Sequence, residues 1–356
     1  MLGPVVEQAL TRRGFLAGAA AGGAVSLTAA ACSGPAGPAG PGPSPSTAPG
    51  TSSPPPSSSA PPSSSLPPSS TGPAAPSTAA LPSVPPWAPG AGELQPDVKL
   101  RAVQLVEALG SWPAGAGGAD AARSRVSALG LDPSLVAQAG SLRPSAEAVS
   151  LRVVDAQYGG LLADSASVLV VCEQSESSGA TLTAGGTTVD VRLSQARPRW
   201  TVTELHPAQP GAPAAELSSA ARQVLTSSRI QLPPAAHADL ASGAVHDSVL
   251  TAMLTLARTY SFAVSVVRSG HPVDVFGTTR PSDHPLGRAF DVWQIDGHAV
   301  VDPATPTELV DAFMRAAAAA GSYNVGGPRQ LSGGATANQF FSDDTHHDHV
   351  HVGFRS

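Results

Sequence analysis

Charged and aromatic residues are both scarce in this chain: 13% and 4% of its 356 residues. The net charge is −6 and there is no dense Lys/Arg run, so the basic surface that a nucleic-acid partner requires is missing. Two cysteines, Cys32 and Cys172, are too few for a disulfide framework or a thiolate zinc cluster. Cys172 lies in the most apolar predicted strand and reads as a buried, unreactive thiol. The chain is rich instead in Gly and Pro, 36 of each, with most of the proline before residue 90.

The first 32 residues read as an address. Thr11-Arg12-Arg13-Gly14-Phe15-Leu16 resembles a twin-arginine export signal, and an Ala/Gly-rich apolar stretch follows it. Phe15 to Ala31 is short and weakly apolar for a membrane span. Cys32, after Ala29-Ala30-Ala31, resembles a lipobox, with Ala29 where Leu is usual. The resemblance implies export in the folded state to the cell envelope and a lipid anchor at Cys32 on the outer face of the cytoplasmic membrane. Plain cleavage after the Ala-rich site is the alternative.

Residues 33–92 are almost wholly Pro, Ser, Ala, Gly and Thr, a composition too poor in apolar side chains to offset the entropy of ordering. They read as a disordered, extended linker, with Trp87 near its end docking on the first folded region. Two folded regions are expected, 93–210 and 211–356. In the first, helical spacing over Val98–Leu109 and Ala121–Leu129 precedes strand patterns at Ala148–Val154, Ser167–Glu173, Thr188–Leu193 and Trp200–Leu205. Helices followed by strands give an α+β class, in an order similar to small cystatin-like or SnoaL-like domains. No catalytic constellation is evident there, which suggests a spacer or binding domain. In the second region, helices are expected at Ala215–Ser227, Val249–Tyr260 and Thr307–Ala320, and strands at Ala263–Val267 and Val350–Phe354. This region too is α+β, with a small sheet carrying the polar residues.

Those polar residues form two segments. Pro285 and Gly287 exclude a helix through Ser282–Asp291, so His284 belongs on a loop and Asp291 on the strand that the loop enters. Asp348-His349-Val350-His351 alternates as a strand, with both histidines on one face. His, Asp and His are the ligand set of a catalytic zinc site, in which three protein ligands leave a position open for water. Asp348 adds a carboxylate beside them.

Ser282-x-His284-x-x-Gly287-x-Ala289-x-Asp291 followed by His349-x-His351 resembles the signature of the LAS zinc metallopeptidases, the group with the hedgehog-type fold. The likeness spans roughly residues 230–356. The carboxylate three residues before the last ligand is similar to the D-alanyl-D-alanine carboxypeptidase branch. The resemblance implies Zn²⁺ on His284, Asp291 and His351. It implies Asp348 as general base, His349 steadying the oxyanion or the water, Ser282 hydrogen-bonding behind the ligands, and Arg268 clamping substrate. A second register, with His349 as ligand and His346 in the base position, is the alternative. His271 reads as a loop histidine, and Asp343 and Asp344 as solvated turn residues. The implied substrates are peptidoglycan stem peptides, cut as a carboxypeptidase or as a crosslink endopeptidase. A zinc-holding envelope-binding module without turnover is the rival from another class.

Overall fold

The computed structural model describes residues 80–356. The twin-arginine segment, Cys32 and the linker up to residue 79 lie outside the described residues. The last part of the expected linker, from Ala80, runs without regular structure but is not free of the domain after it. Trp87 packs against the first hydrophobic core and its N–H donates to Glu107 Oε1 at 2.9 Å, while Pro82 O accepts from Ser150 Oγ at 2.7 Å. An aromatic ring with apolar surface to cover fixes a stretch whose composition alone predicts disorder.

The first domain begins with α1 (Pro96–Gly110), which has Pro96 at its first turn, where a missing N–H costs nothing. Val98, Ala102, Val103, Leu105, Val106 and Leu109 recur at helical spacing and are all buried. After α2 (Ala119–Ala128) come four strands: β1 (Ala148–Leu161), β2 (Ser165–Ser178), β3 (Thr181–Ser194) and β4 (Thr201–Pro207). They form an antiparallel meander in chain order, with α1 packed on it. The β2–β3 hairpin turns on Gly179 at φ 61°, a conformation that glycine adopts without strain. Cys172 is fully buried on β2, where burial pushes its thiol up to about 12.

β1 is an edge strand and runs seven residues beyond its expected end. The alternation that marks a strand fails at Asp155–Gly160 because two register irregularities fall there, between Val153 and Asp155 and between Tyr158 and Gly160. Bulges of this kind twist an edge and re-aim its side chains. Gln157 and Tyr158 lie between them.

The second domain comprises α3 (Ser219–Thr226), β5 (Ile230–Gln231), α4 (Pro234–Ala241), α5 (Asp247–Leu256), β6 (Phe262–Val266), β7 (Ala289–Ile295), β8 (His298–Ala299), α6 (Thr307–Ala319), β9 (Asn324–Gly326), β10 (Phe340–Phe341) and β11 (Val350–Gly353). Its sheet runs β10-β9-β11-β7-β6-β5, with β8 paired to β7. The α+β class holds. The sheet is mixed rather than wholly antiparallel, however, because β5–β6 and β9–β10 pair in parallel. Each parallel pair is two residues long, too short to leave a periodic signal.

Each domain has its own hydrophobic core, and both belong to one compact unit. The junction is close. A Cβ on Gly160 would fall 2.2 Å from the Phe276 side chain, and one on Gly186 would fall 2.9 Å from that of Pro234, so glycine lets side chains of the second domain pack directly on strands of the first. Among the described residues no helix is long and apolar enough to cross a membrane.

Candidate metal centre

β7 and β11 are neighbours, and their register places His351 directly opposite Asp291. Cross-strand partners lie about 5 Å apart at Cβ, so the pairing itself brings one imidazole to one carboxylate. His284 arrives from the turn before β7. Gly287 N–H donates to His284 O at 2.8 Å to close that turn, at φ 70°, and a Cβ there would sit 2.1 Å from Ala244 O. The motif glycine is therefore a steric requirement.

The three side chains converge. Asp291 Oδ1 lies 3.1 Å from His284 Nε2 and 3.0 Å from His351 Nδ1, and the two nitrogens are 3.1 Å apart. Ligand atoms of a tetrahedral zinc shell at about 2.0–2.1 Å are separated by about 3.3 Å, close to this triangle. His284 Nδ1 lies 2.8 Å from Val267 O, and a carbonyl only accepts, so Nδ1 carries a proton and Nε2 is the nitrogen left to face Asp291 and His351. Two imidazole nitrogens and a carboxylate oxygen, all buried and facing one another, form a donor set that a cation would complete. The residues could hold a metal ion.

The electrostatics agree. Burial lowers the His351 imidazole to about 4, which favours the neutral ring that a ligand requires. Burial alone would raise the Asp291 carboxyl, but the flanking His284 and His349 hold it well below its ordinary range.

His349 comes next in the site. Its Nδ1 donates to Asp348 Oδ1 at 2.6 Å, and its Nε2 lies 3.7 Å from Asp291 Oδ2. Burial works against protonation of this ring, yet the Asp291 charge and the Asp348 hydrogen bond raise it overall. Asp348 is occupied on both oxygens. Besides His349, it accepts from Tyr158 N–H at 3.0 Å and pairs with Lys99 Nζ at 2.7 Å, both from the first domain. Burial notwithstanding, Lys99 and His349 hold the Asp348 carboxyl below its usual range. Ser282 is buried and its Oγ accepts from the His284 N–H at 3.4 Å, which puts it behind the ligand turn.

A cleft of about 900 Å³ opens onto these groups, lined among others by His284, His349, His351, Phe341, Tyr323 and Arg280, with Tyr158–Leu161 of β1 and the Leu162 after it as a wall. Asp291 and Asp348 do not line it. Arg268 is not brought to the site: its Nη1 donates to Pro210 O at 3.2 Å and lies 3.8 Å from Asp239 Oδ1. Asp239 is buried and also accepts the Arg268 and Ser269 backbone N–H groups, which fixes the segment in that direction. His346 bonds Asp343 at 2.7 Å and faces the cleft, while His351, not His349, completes the triangle.

Four residues of the site carry no sequence signal. His271, expected as a plain loop histidine, stacks on His284 with ring centroids 4.0 Å apart, and a ring nitrogen of it groups with a nitrogen of His284 and a carboxylate oxygen of Asp291 closely enough to hold a metal. Gln157 and Lys99 come from the first domain, and Arg280 from the loop before Ser282. Glu93, His347 and Asp348 also group closely enough for a metal, but Lys99 Nζ is ion-paired with both Glu93 and Asp348 and serves as their cation. No family model matches this chain, and neither a curated protein nor a solved structure matches it.

Proposed function

We propose that the protein is a metal-dependent hydrolase of the cell envelope, with zinc on His284, Asp291 and His351, that cleaves peptide bonds in peptidoglycan stem peptides. The observation that carries this reading is the triangle of His284 Nε2, Asp291 Oδ1 and His351 Nδ1 at 3.0–3.1 Å, open on one side to a cleft. Its supports in the sequence are the LAS-type motif and the export-like N-terminus. Zinc at such a site supplies a Lewis acid and lowers the pKa of bound water to about 7.

The chain's own residues divide the remaining work. His349 lines the cleft while Asp348 grips its Nδ1, so His349 moves the proton through Nε2 and Asp348 fixes its tautomer and orientation. This exchanges the roles that the motif implies for the two residues. The geometric reason is that both Asp348 oxygens are engaged and its carboxylate lies off the cleft. Arg280, exposed on the cleft wall, takes the place expected of Arg268 as the cation for a substrate carboxylate. A cation there favours carboxypeptidase over endopeptidase action.

The test is mass spectrometry of purified muropeptides after incubation with zinc-loaded protein, against metal-stripped protein and His349→Ala. Loss of one terminal D-Ala supports carboxypeptidase action, and splitting of crosslinked dimers alone supports the endopeptidase. No cleavage with one equivalent of zinc bound would replace the enzyme with a binding module.

A further inference from the structure

Asp291 uses its two carboxylate oxygens differently. Oδ1 faces His284 and His351, whereas Oδ2 accepts a hydrogen bond of 2.7 Å from Gln157 Nε2. Gln157 belongs to β1, in the other domain, 134 residues earlier in the chain. All three of Gln157, Asp291 and the Ser265 beside them are fully or almost fully buried.

The amide is itself fixed. Its Oε1 accepts from Ser265 Oγ on β6, the strand next to Asp291's own. Since both Asp291 oxygens only accept, the NH₂ end must face the carboxylate and the carbonyl end must face the hydroxyl. The network is satisfied in this one arrangement, which leaves the side chain little freedom to turn.

We propose that Gln157 is the positioning residue of the metal centre, holding Asp291 so that a single carboxylate oxygen faces the two imidazoles. The proposal rests on the reading of His284, Asp291 and His351 as metal ligands. Without the amide, Oδ2 keeps only His349 Nε2, at 3.7 Å and beyond hydrogen-bond reach, and is free to rotate toward the metal and ligate through both atoms. Hydrogen-bond partners behind metal ligands generally set affinity through this restraint. Gln157 lies between the two bulges of β1, where the strand's regular alternation is broken, and its amide reaches the other domain. Lys99, from α1 of the same domain, holds Asp348 in the corresponding way. The first domain is thus a structural half of the metal site and not a spacer attached to it.

The experiment titrates zinc, in competition with a chromophoric chelator, into the full chain carrying the native residue, Gln157→Met or Ser265→Ala. Visible spectra of the Co²⁺-substituted forms are recorded alongside. Gln157→Met keeps the side-chain length and removes the donor, and its zinc affinity should fall about 10- to 100-fold with a changed Co²⁺ band. Ser265→Ala, which leaves Gln157 in place but unanchored, should shift both readouts the same way by less. A loss of packing alone would lower thermal stability without moving the Co²⁺ band. Affinities within about twofold of the native chain and an unchanged band in both variants overturn the proposal. Should the native chain itself take up no zinc, the ligand reading fails and the proposal with it, an outcome that the native titration reports by itself.

Discussion

Lys99 Nζ lies 2.7 Å from Asp348 Oδ2, a buried ion pair that ties the first helix of one domain to the bend that leads into β11 of the other. Glu93 pairs with the same ammonium from the other side. Burial disfavours the charged lysine, but Asp348 and Glu93 raise its pKa above the ordinary value, so it stays cationic. Lys99→Met would strand two carboxylates in the interior. A loss of about 3–5 kcal/mol is expected by chemical denaturation. Lys99→Met combined with Asp348→Asn should recover part of that loss, and simple additivity of the two changes would refute the coupling.

His349 and Asp348 separate two accounts of proton transfer. If His349 carries the proton, His349→Ala should lower kcat by about 10²–10⁴-fold with zinc still bound at one equivalent. Asp348→Asn should then lose less than His349→Ala, because an amide oxygen still accepts from Nδ1. Equal metal content with the larger loss at Asp348 would restore Asp348 as the base.

Gly287→Ala tests the turn that delivers His284. The substitution forces an L-residue to φ 70° and drives its Cβ into Ala244 O. A cost of at least about 2 kcal/mol is expected, with Tm down by roughly 5 °C and weaker zinc binding. A variant with unchanged Tm and unchanged zinc affinity would show that the turn relaxes freely.

Asp155 gives a pH dependence away from the ligands. Burial raises its carboxyl to about 7; Lys99 opposes this, and the Asp348 and Glu93 charges add to it. One of its oxygens, Oδ2, is buried without a partner. A carboxyl whose pKa is raised on folding contributes stability at low pH and loses it as pH climbs from about 4 to about 7. Asp155→Asn removes that dependence, so the variant should gain on the native protein by on the order of 2 kcal/mol between pH 5 and pH 8. Parallel thermal-melting curves for the two proteins across that range would contradict the assignment.

The candidate metal-binding residues were legible because their spacing is local. Ser282, His284, Gly287, Ala289 and Asp291 fall within ten residues and encode one turn and one strand, whereas the expected strand alternation through Asp348 and His349 does not hold, since β11 begins at Val350 and both residues lie in a bend before it. Helix α1 and the cores of β2, β3 and β11 were legible for the same reason, since periodic apolar residues report which face is buried. Arg268 was misleading: its spacing from His284 places it on the right loop, but the direction of its side chain depends on buried Asp239, on a distant helix.

Sequence by itself pointed to His284, Asp291 and His351 as residues that could bind a metal and to the α+β class. Only the tertiary structure decided that a strand of the first domain enters the site. Gln157, Tyr158 and Lys99 meet Asp291 and Asp348 across 134, 190 and 249 residues, the last by subtraction of their numbers. Such contacts leave no periodicity in the chain. They arise because an edge strand bent by two bulges brings the Tyr158 N–H and the Gln157 amide, with Lys99 from α1, to buried carboxylate oxygens of the neighbouring domain.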